Sequence, residues 1–165
     1  MHRCLNMSDT PHSATGSFLI VSADDSASVL RDVNSGQIYT VRHTCSPTES
    51  SVVTAEIETE PPLHSTYTIT EITEERTIEI ERSEQPPTAA SQSKAAEQSV
   101  GELTRTERAG RGEIHVITVP TTRTETAVAD ILDDTQSLRE RAGRIGVSRV
   151  EIRAAGNTVS IRYMP

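Results

Sequence analysis

The sequence predicts an α+β protein: a small antiparallel β-barrel of the OB or SH3-like kind, followed by an α-β-α-β-β layer. Three observations carry that reading. Between Gly16 and Glu84, short β-branched or alternating runs recur at close spacing, separated by clusters of Asp, Asn, Ser, Gly and Pro; this is the pattern of strands joined by tight turns. Pro86 and Pro87 then interrupt the chain, and neither can donate to a sheet ladder. Beyond them the apolar spacing changes from two residues to three and four, the period of helices that pack on a sheet. The organisation expected is a disordered lead over residues 1–15, the barrel over 16–84 and the α/β layer over 85–165. A plain curled sheet covered by the later helix is the alternative to a barrel.

The lead is polar and aperiodic, with His2, Pro11 and His12, so nothing in it could bury a face. Met7-Ser8-Asp9 reads as a more natural start than Met1, and a start there would remove Cys4. Phe18 to Val21 forms the first apolar run, Asp24-Asp25-Ser26 a turn, and Val29 to Val33 the second strand. Asn34-Ser35-Gly36 places glycine where a hairpin needs positive φ, leading into Ile38 to Val41. Val53, Ala55 and Ile57 alternate with Thr54, Glu56 and Glu58, a strand with one buried and one acidic face. Tyr67, Ile69 and Ile72 lead to a turn expected at Thr73 to Glu75, and Ile78 and Ile80 alternate with acids in the last strand assigned to the barrel.

In the second half Thr88 stands where a helix cap belongs. Ala96, Val100, Leu103 and Glu107 fall on one narrow stripe, which predicts a central helix over 89–108 ended by Gly110 and Gly112. Glu113 to Val119 carries Ile and Val on both faces, as a doubly covered strand does. Ala127, Val128, Ile131 and Leu132 share a helical face, Asp133-Asp134-Thr135 interrupts it, and Leu138, Ala142 and Ile145 continue it to Gly146. Strands at Arg149 to Arg153 and Val159 to Tyr163, joined by Ala155-Gly156-Asn157, complete the layer.

Composition narrows the function classes. The net charge is −8, aromatics are 2% of residues and Lys94 is the sole lysine. An acidic, lysine-poor, threonine-rich chain is similar in composition to cytoplasmic proteins of salt-accumulating archaea, where carboxylates keep surfaces hydrated. The charge divides unevenly: residues 1–84 hold 14 acids and 5 bases, the remainder 10 and 11. No apolar run approaches the roughly 18 residues of a membrane helix and no signal-peptide pattern opens the chain, so a cytoplasmic location is expected. Cys4 and Cys45 have no metal or redox spacing and read as free thiols.

The candidate sites follow. His43 and Cys45 lie two apart in a loop and would form a thiolate nucleophile only if folding set the ring against sulfur; incidental loop residues are the simpler reading. His115, in the most buried strand, reads as a packed core histidine before a catalytic base. Asp24-Asp25 and Asp133-Asp134 read as turn and cap carboxylates before a cation site. No metal, cofactor or catalytic set is indicated. The arginines are the informative charges: Arg139, Arg141, Arg144, Arg149, Arg153 and Arg162 give the last thirty residues a local excess over Glu140 and Glu151, and Arg105, Arg108 and Arg111 form a second cluster. Arg153 and Arg162 are expected at adjacent outward positions of the last hairpin, as phosphate contacts or as internal partners of glutamates.

The runs GSFLIVSADDSASVLRDVNSGQIYT, QPPTAASQSKAAEQSVGELTRTERAGRGEIHVITVP and RVEIRAAGNTVSIRYMP together resemble an uncharacterised family of halophilic-archaeal proteins, a domain of unknown function. The resemblance spans Gly16 to Pro165 and implies cellular context without an activity. The expected function is therefore a non-enzymatic binding or adaptor role, associated with RNA or ribonucleoprotein through the arginines. A protein–protein or self-association module is the alternative, and a small enzyme using His43, Cys45 or His115 comes third.

Overall fold

In a computed structural model, residues 12–42, 47–60 and 66–165 are described. The chain divides into two compact units, Met1–Thr77 and Ile78–Pro165, each of which has its own sheet.

The first unit is a closed barrel of five strands, β1 (Ser13–Ala23), β2 (Ala27–Asp32), β3 (Ile38–Arg42), β4 (Ser51–Thr59) and β5 (Tyr67–Thr77), in the order β1-β2-β3-β5-β4. β1 pairs antiparallel with both β2 and β4, and β3 joins β5 in parallel through Val41↔Tyr67 and Arg42↔Thr68. Phe18, Ile20, Leu30, Val41, Val53, Ala55 and Ile57 fill the interior, all nearly inaccessible. Tyr39 packs edge-on between Phe18 and Tyr67, with ring centroids at 5.7 and 4.9 Å. Phe18 is thus inside the barrel, with the half-buried Tyr39 and Tyr67 packed against its core, where edge-to-face packing favours them. Gly36, at φ +76°, closes the β2–β3 hairpin as its sequence requires, while Asp32 Oδ1 accepts from the amides of Asn34 and Ser35.

Two expectations change here. Ser13 to Thr15, read as the end of a disordered lead, are strand residues paired with Glu58, Ile57 and Glu56; residues 1–11, including Cys4 and the alternative start, lie outside the described residues. The turn expected at Thr73 to Glu75 is absent, because β5 runs through it to Thr77. Register shifts near Thr54/Ala55 and Glu56/Ile57 absorb the irregular apolar spacing, and Thr73 Oγ1 donates to the Thr54 carbonyl.

The second unit is a five-stranded sheet ordered β6-β9-β10-β8-β7. Its strands are β6 (Glu79–Arg82), β7 (Leu103–Glu107), β8 (Glu113–Thr118), β9 (Arg149–Ala155) and β10 (Thr158–Met164), and its helices are α1 (Ala89–Glu97), α2 (Thr124–Asp133) and α3 (Thr135–Ile145). β6 hydrogen-bonds in parallel to β9 and not to a barrel strand. The expected α-β-α-β-β layer is therefore β-α-β-β-α-α-β-β. β8 and β9 run parallel, with β10 between them, antiparallel to both.

The helix expected over 89–108 ends at Glu97. Thr88 caps its start through Oγ1, which accepts from the Ser91 amide. Gly101, at φ +90°, turns the chain, and Leu103–Glu107 becomes an edge strand. The alternation of LTRTE favours that outcome: threonine suits a half-exposed strand better than a helix. α1 lies on the sheet face carrying Val116, Thr118, Ser160 and Arg162, with Thr118 Oγ1 donating to the Ala95 carbonyl. α3 reaches the other face, where Arg141 meets Glu113. The main chain is covered on both sides at β10, whose Val159, Ile161 and Tyr163 are buried.

Candidate functional site

Sheet register and helix position sort eight of the nine candidate arginines into three groups, with Arg111 apart. On the α1 side, Arg149, Arg153 and Arg162 share a face with Glu151; Ser160 lies directly opposite Arg153, and Arg162 directly opposite Glu151. Arg153 Nε donates to Glu151 Oε1, Arg162 Nε stands 3.6 Å from the same oxygen, and Arg149 Nη2 is 3.5 Å from Glu81 Oε1. The side chains of Arg153 and Arg162 are only 16% and 14% exposed. They are not the outward pair expected from the sequence, because β10 is buried on both faces. Arg108, in the β7–β8 turn, donates from Nη1 to the Arg111 carbonyl at 3.1 Å. Burial lowers the Arg162 pKa, with further depression from the charges of Arg153 and Arg108 against an opposing pull from Glu151.

The opposite face holds a tighter constellation. Glu113 and His115 on β8, Tyr163 on β10, Arg105 on β7 and Arg141 on α3 meet there. Arg141 donates from Nε (3.2 Å) and Nη2 (2.9 Å) to Glu113 Oε2, and the His115 ring nitrogen Nε2 lies 2.9 Å from that same oxygen. The His115 ring tilts against Tyr163 at 4.9 Å. Burial lowers the His115 pKa despite the bond to Glu113, and burial pushes the Tyr163 hydroxyl up to about 12. Glu113 is also desolvated, but its bonds to His115 and Arg141 outweigh that and hold it below the usual carboxylate range. An acceptor carboxylate saturated by two donors is a poor base, and a neutral buried imidazole bonded to it is positioned as a packing residue. Arg111 is elsewhere, its Nη1 3.4 Å from the Gly146 carbonyl at the end of α3.

The third group lies on α3. Arg144 is exposed and 3.5 Å from Glu140 Oε1, one turn away, and Arg139 has a buried Nε without a hydrogen-bond partner. The nine arginines therefore do not converge on one surface. His43 and Cys45 lie outside the described residues. Asp24 Oδ1 accepts from the amides of Ser26 and Ala27, and Asp134 caps α3 through Ser137, so both act as turn and cap carboxylates. Among the described residues no group of three His, Cys, Asp or Glu side chains could hold a metal ion, and no helix is long and apolar enough to cross a membrane. A groove of about 310 Å³ beside the β1–β2 turn is lined by small residues and Asp24, without a cation or aromatic ring.

Residues 14–154 match a family of unknown function, DUF5812. The chain belongs to that family. Nothing matches among curated proteins or among solved structures. Membership of DUF5812 bears out the unknown-function part of the resemblance and assigns no activity to any residue. What sequence reading of this DUF5812 chain missed is the edge strand β7. Among the described residues four large apolar side chains stand exposed, Ile38, Ile72, Val100 and Leu103, and the last two adjoin that edge. The alternation of LTRTE was the available signal, masked by the longer helical stripe from Ala96 to Glu107.

Proposed function

We propose that the protein is a non-enzymatic interaction module that self-associates along β7. The observation that carries this is the state of that edge: β7 is the last strand of its sheet, is exposed along most of its length and, among the described residues, pairs with β8 alone. Its hydrogen-bond phase is defined at both ends. The Arg108 amide donates to the Gly112 carbonyl, and the Thr118 amide to the Glu102 carbonyl. In an antiparallel pair a residue directs both backbone groups to the same side, and successive residues alternate. Leu103, Arg105 and Glu107 therefore direct theirs to the open edge, where an added strand would bond.

A second copy fits that edge in charge as well as in backbone. Arg105 and Glu107 are exposed, and among the described residues neither enters a salt bridge. A two-fold axis through Thr106 would set each Arg105 opposite Glu107 of the other copy and each Leu103 opposite Ala109. Both contacts then occur twice, as in any isologous interface, and cross-strand opposite charges favour the pairing. The expected result in sedimentation equilibrium is a reversible dimer. Arg105→Glu and Glu107→Arg should each dissociate it, and the double swap should restore it. A wild-type chain that stays monomeric at high micromolar concentration overturns the reading.

Nucleic-acid association through the arginines is the weaker reading. Five of the nine, Arg141, Arg144, Arg149, Arg153 and Arg162, stand against carboxylates, and Tyr163, the one aromatic outside the barrel, is 3% exposed, which leaves no stacking ring beside those arginines. We read the barrel as OB-like from its order β1-β2-β3-β5-β4 with β3 parallel to β5, and as a scaffold here. The acidic, nearly lysine-free composition fits a salt-rich archaeal cytoplasm, where close backbone pairing outlasts screened surface charge.

A further inference from the structure

Among the buried side chains on the α1 side of the second sheet the charge does not balance, since Glu79 and Glu81 on the same face are exposed and Glu81 stands against Arg149. Glu151 is one carboxylate shared by Arg153 and Arg162, and Arg108 adds a third guanidinium close enough to act on Arg162. The Glu151, Arg153 and Arg162 side chains are 10%, 16% and 14% exposed, so water offers them little compensation. A buried cation is stable when an anion and hydrogen-bond acceptors surround it. One carboxylate cannot serve two guanidiniums fully, and its bond goes to Arg153 Nε while Arg162 Nε stays beyond hydrogen-bond distance.

A second observation falls at the same place. Arg162 Nε and the Ser160 hydroxyl are both buried without a hydrogen-bond partner, and Ser160 is wholly inaccessible. Ser160 and Arg162 lie two apart on one face of β10, and Arg153 is directly opposite Ser160. Two unused donors therefore adjoin the surplus positive charge. Buried donors without acceptors are uncommon in folded proteins and call for a missing partner. What is short here, on both counts, is an acceptor with negative charge.

We propose that Arg162, Arg153 and Ser160 form a site for a phosphate group, with Arg108 at its rim. A tetrahedral oxyanion supplies the charge that Glu151 cannot and accepts several hydrogen bonds at once, and guanidinium groups match its oxygens in pairs. Glu151 has a positioning role: it holds Arg153 and Arg162 side by side and limits the site to an anion of high charge density. The phosphate could be the free ion or the phosphomonoester of a small nucleotide. Arg153, Arg162 and Ser160 lie on β9 and β10, with Arg108 alone beside β7, and the site does not depend on dimerisation.

The test is calorimetric titration of the full chain with inorganic phosphate at fixed ionic strength, with chloride as the control, together with the thermal shift that each anion produces. Saturable binding is expected in the wild type, at least tenfold weaker in Arg162→Gln, partly recovered in Arg162→Lys and unchanged in Arg144→Gln. Ser160→Ala should weaken binding and provides the reading if Arg162→Gln fails to fold. Repeating the titration with adenosine monophosphate separates the sources: tighter binding identifies a nucleotide, and equal or weaker binding the free ion. Phosphate that binds wild type and the Ser160 and Arg162 variants alike, or no better than chloride, would overturn the site.

Discussion

At the scale of single residues, Gly112 shows how closely the second sheet is fitted at its β7–β8 end. Its φ of +125° is closed to ordinary side chains, and a Cβ there would stand 2.1 Å from the Tyr163 carbonyl oxygen, a backbone atom that cannot swing aside. Gly110 also has positive φ, +88°, yet a Cβ there would meet nothing within 4 Å. Gly110→Ala should therefore cost on the order of 1–2 kcal/mol, the left-handed penalty, and Gly112→Ala clearly more, read as the difference in urea midpoints. His115 supplies a pH dependence with a defined sign. Its folded pKa lies below the ordinary imidazole value of about 6.5 because it is buried, so the unfolded chain binds the proton first. Its contribution to stability is thus complete above pH 6.5 and is lost as pH falls below it toward the folded pKa. Around it, Arg141 and Arg105 oppose protonation, Glu113 favours it, and Tyr163 stays neutral; Glu113, held below the usual carboxylate range, remains charged across this window. Urea midpoints should fall between pH 7.5 and 5.5 in the wild type and fall less in His115→Gln, whose side chain cannot titrate.

Among the elements, those legible in the sequence are those whose own residues decide them. β4 alternates Val53, Ala55 and Ile57 against Thr54, Glu56 and Glu58, and it sits in the barrel wall with those two faces as read. α3 was legible because Asp134 caps it and Gly146, at φ +86°, ends it. The stretch from Gln98 to Glu107 was not, since its stripe of Val100, Leu103 and Glu107 satisfies a helix period and LTRTE satisfies a strand period equally well. Tertiary contacts broke the tie: the Gln98 side-chain amide donates to the carbonyls of Glu102 and Val116, which fastens the turn to β8 and commits the chain to pairing. The arginine cluster was legible as composition but not as geometry. Which carboxylate each guanidinium meets depends on strand register, and Glu151 became the partner of both Arg153 and Arg162 through the placement of β10 beside β9. No local pattern encodes that.

For the whole molecule, the consequential difference lies at the junction of the two units. Ile78 to Arg82 alternates like a further barrel strand, and the diproline at Pro86-Pro87 looks like the punctuation that follows it. Yet β6 pairs in parallel with β9 at four positions, Glu79↔Arg149 to Arg82↔Ile152, and Ile78 is 3% exposed. Arg82 also grips Glu125 of α2 with two bonds, Nη1 to Oε2 at 2.6 Å and Nη2 to Oε1 at 2.7 Å; being exposed, that pair orients more than it stabilises. Sequence separation conceals this pairing, because β6 and β9 stand some seventy residues apart and parallel strands need a crossover between them. We therefore place the working boundary between the units after Thr77. A fragment of residues 78–165 should fold alone, giving dispersed amide resonances and one cooperative urea transition. A fragment of residues 85–165, cut at the proline boundary, loses Ile78 and β6 and bares the edge of β9 beside Val150 and Ile152, which are 1% and 0% exposed in the full chain. An uncovered apolar edge strand recruits other chains, so that fragment should aggregate or remain unfolded. If both fragments fold with the same urea midpoint, β6 contributes nothing to the second unit and the boundary belongs at the prolines after all.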